Sequence, residues 1–490
     1  MRQDLPARTS GAASDVEPVL MIYPPRSRSL RRWLGASALL VLCAAAPATA
    51  QTAFTPAATE FQGTITAAAT ERGRPILPGG AAEIRGQGLV AGQKITLMRG
   101  PHVLNDTPII ADAEGAFTFG LTVDEEAAVG LHPIVVIAEN PAAARVIDLK
   151  ISPDLPPHGA ENFTIESARV GPGLYQVAFG EAAGAVFVTA AVGRPPVKES
   201  ALYRLDPQSL EVIARGAVGE APAVAGGRDP GVFAVYGLGL DEANATIWTT
   251  NTRQNTVAIY RQNDLSLLKQ FEPGVVDHGR DVVIDPGRGR AYISTSVEPR
   301  IEVFTTGPNQ KVDTITIQSA ERGGKFAVMS LALDAAAGRL YTVSMSTNEY
   351  AAVDLSDHSV TVFPLKGAKG ASGVAYDPQE GLLFVASQQS DNLLIVKAED
   401  GTVLHDVPVG AGALNVAFEP KSRQAFVANR GAGTITVVNT RGEVKAVLDA
   451  GSFPNHLQAD GLGNVWAVNK SRGADDDAGD RLWRITPKAD

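Results

Sequence analysis

From residue 163 onward, apolar positions recur in short runs of period two, each closed by a turn carrying Gly, Asp or Pro. The stretch 425–439, AFVANRGAGTITVVN, shows the unit. Ala425 to Ala428 is apolar and β-prone, Arg430-Gly431-Ala432-Gly433 is a turn signal, and Thr434 to Val438 alternates β-branched residues. A further apolar run at 414–418 precedes it, closed by the turn-like Glu419-Pro420-Lys421-Ser422-Arg423, and 443–448 predicts a fourth strand. Four short strands in roughly forty residues predict one antiparallel meander.

The meander repeats. One aromatic in each second strand sets the register: Phe187, Trp248, Tyr292, Tyr341, Phe384, Phe426 and Trp466, with gaps of 61, 44, 49, 43, 42 and 40 residues. Four strands per forty-odd residues is the sequence signature of a propeller blade. Seven such aromatics predict an all-β fold with a seven-bladed β-propeller over 163–490. The last blade runs out after its third strand. Residues 163–170 (FTIESARV) precede the first complete blade, and pairing them with 482–485 closes the ring and leaves no free sheet edge.

Ahead of the propeller, 78–152 carries short strands spaced by Gly, Pro and Asp turns, which predict a small β-sandwich. Residues 51–77 are Ala/Thr-rich without a clear period and read as a linker, and 153–162 reads as a second, stiffer one. The first 50 residues have the form of a secretory signal: arginines 26, 28, 31 and 32, an apolar run at 33–46, and Ala48-Thr49-Ala50 before Gln51, with Met21 an alternative start. That predicts a periplasmic or secreted protein without a membrane span in the mature chain. Composition sharpens this picture. Cys43 is the only cysteine and falls in the signal, so the mature chain has no disulfide, thiolate metal site or thiol nucleophile. The net charge is −10; the signal takes six basic and three acidic residues with it, leaving −13. Such acidity disfavours a general nucleic-acid binder, which needs a basic face.

Several segments carry a family likeness. The second-strand ends WTTN (248–251), FVAN (426–429) and WAVN (466–469) resemble the Tyr-Val-Thr-Asn propeller repeat, and 174–212 with its DPxxG-like turns resembles YncE-like periplasmic proteins. The resemblance spans 163–490 and implies the fold; its motifs are structural and imply no chemistry. GQGLVAGQKITL and DAEGAFTFGLTV, within 78–152, resemble bacterial immunoglobulin-like modules, which implies a spacer or adhesive role for the sandwich.

Function is expected on the face where loop length varies, called the top, at 191–200, 219–234, 273–280, 318–329 and 470–480. The opposite turns, such as Asp285-Pro286-Gly287-Arg288-Gly289, are short and alike. Residues just before each innermost strand ring the mouth, and with nearby loop cations they give a candidate ligand set: Tyr175, Arg228, Tyr236, His278, Arg280, Lys325, Asn415 and His456. The pattern suits a polar or anionic small ligand, or a protein partner. The leading expectation is a non-enzymatic binding or scaffold protein, with no cofactor and no metal site. Asp475-Asp476-Asp477 and Asp480 lack EF-hand spacing. Two alternatives stand beside it: a lactonase-type hydrolase, on the fold likeness of propeller lactonases, with Arg280, Asp281 and His456 as its polar cluster; and a single-stranded nucleic-acid binder, with mouth cations beside aromatics.

Overall fold

A computed structural model describes residues 61–223, 226–227, 229–473 and 475–488. The expected signal segment with Met21 and Cys43, the start of the first linker, and Arg228 lie outside the described residues. Apart from two short 3-10 turns, Ala160–Asn162 and Thr252–Gln254, the elements are β-strands.

From residue 174 onward the described residues form seven four-stranded antiparallel sheets. Blades 1 to 6 span 174–217, 238–270, 279–316, 328–364, 371–408 and 413–449, each pairing in sequence order. Blade 7 takes three strands from 454–487, and its outer strand is Phe163–Arg169. Phe163 faces Pro487 and Arg169 faces Arg481 in an unbroken antiparallel register. The expected closure therefore holds. Each innermost strand contacts the next, and Leu174–Gly180 contacts Pro454–Ala459, so the sheets form a ring.

The repeating aromatic sits where the periodicity puts it. Phe187, Trp248, Tyr292, Tyr341, Phe384, Phe426 and Trp466 are all buried. They pack between sheets rather than within one: Phe187 lies with Leu238 and Ile247 of the next blade, and Phe426 with Leu457 and Val465. A large ring here fills a space the following blade leaves open, and truncating one to alanine costs about 3–5 kcal/mol. The short turns are built as their residues predict. Asp285 Oδ1 accepts the Arg288 N–H, and Gly289 takes a positive φ of 61°. Arg423 takes the same left-handed position in blade 6 with φ 58°. Its guanidinium binds Asp377 and Glu380 of blade 5 and stacks on Phe418, contacts that offset the backbone cost.

The N-terminal part is a two-sheet β-sandwich over one core that includes Ile84, Ile95, Leu97 and Val136, all fully buried. One expectation is corrected. Thr64–Ala69, read as linker, is a strand paired along its length with Ala81–Gln87. Only Ile65 within it is fully buried, so its alanines carry little β-signal and pairing decides its conformation. The second linker is tied down as well: His158 exchanges both backbone hydrogen bonds with Val447 on the outer strand of blade 6. Lys150 and Lys369 complete the attachment through Asp391 and Asp148.

Candidate functional site

Backbone register decides which mouth residues are free. In every blade but the second, the ladder slips at the start of the inner strand, as between Leu174 and Val177, Gly279 and Val282, Val328 and Leu331, and Pro454 and His456. A slip of this kind leaves backbone amides without a ladder partner, and buried amides demand one. Side chains of other blades supply it. Leu331 N–H donates to Asp281 Oδ2 (2.9 Å), Val177 N–H to His456 Nδ1 (3.3 Å) and Leu457 N–H to Asn415 Oδ1 (2.8 Å); in blade 2, which has no such slip, Leu238 N–H at the strand start likewise donates to Gln176 Oε1 (2.6 Å). Gln176 Nε2 in turn donates to Asp281 Oδ1 at 3.2 Å. Asp281, Asn415 and His456 are thus ties between blades. Burial, helped by the nearby Arg280 charge, pushes the His456 imidazole down to about 3, so it is neutral at pH 7. Burial pushes the Asp281 carboxyl up, against the hydrogen bonds it accepts.

The residue one step earlier takes the other side of the extended strand. Tyr175 and Arg280 occupy that position, and both line a cavity of about 810 Å³ together with Tyr236. Its walls come from blades 7, 1, 2 and 3: segment 169–175, loop 191–193, Thr252-Arg253, His278, Ser296 and loop 470–473. Tyr175 and Tyr236 meet edge to face with centroids 4.5 Å apart. Lys470 Nζ lies 4.0 Å from the Tyr175 ring centroid.

The cavity is cationic. Arg169, Arg253, Arg280, Lys470 and Arg472 line it, against the single carboxylate, among the described residues, of Asp480. That carboxylate is buried and committed to loop structure, since Oδ1 accepts the N–H groups of Gly173 (2.9 Å) and Ser471 (3.2 Å). Arg169 pairs with Asp477 at the rim. Arg280 is partly buried, and its Nε has no hydrogen-bond partner among the described residues. His278 is held in a left-handed conformation, φ 48°, with its N–H on Asn255 Oδ1. Burial, then the Arg253 charge, lowers its pKa. Burial raises the Tyr236 hydroxyl, which Arg253 partly offsets. Lys470 is brought down to about 7 by burial and the neighbouring Arg430 charge, with Asp480 opposing and Arg253 adding to the effect.

Of the expected ligand set, the structure brings Tyr175, Tyr236, His278 and Arg280 together. Asn415 and His456 are elsewhere, as described. Lys325 is exposed, paired with Glu298 at 3.0 Å, and loop 318–329 does not line the cavity. Sequence reasoning missed Arg169, Arg253, Lys470 and Arg472. A signal for two of them was present: Lys470 directly follows Asn469 at the end of a repeat motif, and Arg253 stands two residues after Asn251. Lys470 and Arg472 fall within 470–480, a segment expected to carry function on its length, but the ligand set names neither of them. Among the described residues no group of three or more His, Cys, Asp or Glu is placed to hold a metal. No described helix is long and apolar enough to cross a membrane.

No family model matches the chain. It is 25% identical to the uncharacterized protein YncE of Salmonella typhi over 307 residues, covering 60% of this chain and 81% of that protein. YncE of Escherichia coli O157:H7 is 24% identical over 266 residues, 51% of this chain and 70% of that protein. Among solved structures, virginiamycin B lyase from Staphylococcus aureus aligns with TM-score 0.50 at 12% identity, over 66% of this chain and 99% of that one. The RRP9 WD40 repeats align with TM-score 0.53 at 11% identity, over 68% and 100%. At such identities the structural likenesses speak for the fold alone. With the repeat motifs, the ring of sheets and the sequence relatives in agreement, the chain is a β-propeller protein similar in sequence to YncE.

Proposed function

We propose that this chain is an exported, non-enzymatic binding propeller that takes a small organic anion in its top-face cavity, with the docked sandwich as an immunoglobulin-like accessory module. The observation that carries this is the convergence of four arginines, a lysine and two tyrosines on one concavity whose only carboxylate among the described residues is already committed. In a chain of net charge −10 this is a local reversal of sign. A concave site focuses such a field and raises the local concentration of anions. Arg280 lines the cavity, and a guanidinium there is suited to pairing with a carboxylate or phosphate.

The hydrolase alternative has less support, because Asp281 Oδ2 and His456 Nδ1 accept backbone amides of other blades and Asp281 Oδ1 accepts the Gln176 side-chain amide. Single-stranded nucleic acid stacks successive bases on exposed rings. Here Tyr236 is buried and Tyr175 packs edge-on against it, which favours a compact ligand.

The test is calorimetric titration with a panel of mono- and dicarboxylates, phosphate esters and neutral isosteres. At least one anion is expected to bind, with affinity falling as salt rises. Arg280→Ala combined with Tyr236→Ala should weaken it about 10- to 150-fold, the span of one charge-assisted contact. Binding unchanged in that double variant, or preference for the neutral isosteres, rules the reading out.

A further inference from the structure

Lys470 differs from the other cations of the cavity. It leaves the end of strand Val465–Asn469, and its N–H donates to the carbonyls of both Ser452 and Phe453, so its backbone is fixed. Its side chain is partly buried in the cavity wall, with Nζ over the face of Tyr175. Among the described residues that Nζ has no carboxylate partner and no hydrogen-bond acceptor. The groups around it are Tyr175, Arg253, Arg430 and Asp480, and Asp480 is bound to backbone amides. A lysine desolvated beside other cations is the arrangement that turns an ammonium into a nucleophilic amine.

We infer that Lys470 is a covalent docking point, forming an imine with a small carbonyl compound that also carries an anionic group, such as a 2-oxo acid. The inference rests on the anion-binding reading above and specifies its ligand class: arginines hold the anionic end while the carbonyl carbon reaches Nζ. In the step, the amine lone pair forms the N–C bond and the carbonyl π pair moves to oxygen. The oxygen then leaves as water with the two amine hydrogens, and the C=N bond forms. No oxidant or reductant takes part, and hydrolysis reverses it. A lysine of ordinary pKa, about 10.4, is about 0.1% neutral at pH 7.4. One held near 7 is mostly neutral there, so selectivity follows from the environment.

Glyoxylate with cyanoborohydride as trapping reagent, applied to the full exported chain, tests this by peptide mass mapping. At pH 7.4 the reduced adduct is expected on Lys470 at about tenfold or more over the median of the other lysines. That excess should shrink at pH 10, where the other lysines also deprotonate. Propionaldehyde, lacking the anion, should show a smaller preference. Oxalate, which has no reactive carbonyl, should protect Lys470. Lys470→Arg should lose the adduct while oxalate still raises its melting temperature; if that variant does not fold, the wild-type adduct map decides alone. An even spread of adducts, or none on Lys470 while oxalate binds, overturns the imine and leaves the anion site standing. If neither glyoxylate nor oxalate binds and no selective adduct forms, both readings fall.

Discussion

His456 accepts the Val177 N–H through Nδ1, which requires the proton of a neutral ring to sit on Nε2. One position earlier, Asn455 donates instead to the Tyr175 carbonyl at 2.6 Å. Such neighbours look alike in the sequence, as polar residues before a strand. Which of each pair meets the cavity depends on strand register that leaves no mark in residue type, so Tyr175, Tyr236 and Arg280 were legible as cavity-lining residues while the backbone ties made by Asn415 and His456 were not. The distinction has a pH signature. The folded-state pKa of His456, about 3, lies below the unfolded value near 6.5, so the unfolded chain takes up the proton first as pH falls. Its contribution to stability is complete above pH 6.5 and is lost progressively towards pH 3. Asparagine keeps an acceptor in the Nδ1 position and does not titrate. His456→Asn should therefore lie within about 1 kcal/mol of wild type in urea unfolding at pH 7.5, and gain on it at pH 4.5. A stability gap that is the same at both pH values would refute the buried neutral imidazole.

At the scale of elements, the blades were legible because their cores demand a large ring at one position per repeat. The ring-closing strand was legible by elimination. The first sandwich strand was not, since TITAAA is held by pairing to Ala81–Gln87 rather than by its own preference. Blade 2 breaks the inner-strand pattern in an instructive way. Gly237 stands next to Tyr236, and a Cβ there would lie 2.1 Å from the Arg280 carbonyl oxygen and 2.6 Å from Thr250 Oγ1. Thr250 Oγ1 already accepts the Gly237 N–H and donates to the Arg280 carbonyl. The inner strands of blades 2 and 3 are therefore as close as backbone allows, and that closeness sets Arg280 beside Tyr236. Gly237→Ala should destabilise by about 1–3 kcal/mol through overpacking and also weaken anion binding, because the strand carrying Arg280 must move. Urea unfolding and calorimetric titration of the same variant check both halves. Affinity unchanged despite the stability loss would mean that Arg280 does not depend on this contact.

For the whole molecule, the sandwich is fastened to the propeller rather than hung from it. Lys150 Nζ donates to the Gln388 carbonyl (2.6 Å) and to Asp391 Oδ1 (2.5 Å), while the same carboxylate oxygen accepts the Gly412 N–H. Asp391 is 2% exposed, so Lys150 is its one charge partner among the described residues. A buried carboxylate stripped of its cation costs more than the pair is worth when intact. The attachment reaches towards the cavity too: Gly73 of the sandwich abuts Phe453, and Phe453 carries Arg430 and Arg472 at 5.1 and 5.2 Å from its ring centroid. Lys150→Met should therefore loosen the sandwich, seen as faster proteolytic cutting in segment 153–162. The loss should be about 1–3 kcal/mol, because Lys150 keeps partial access to water. Adding Asp391→Asn should recover part of it, since the carboxylate left without its cation is the larger part of the penalty. If the double variant is cut as fast as the single one, the ion pair holds the sandwich by its own attraction and the buried-charge argument fails. If neither is cut faster than wild type, the bridge between His158 and Val447 and the Lys369–Asp148 pair suffice to hold the sandwich.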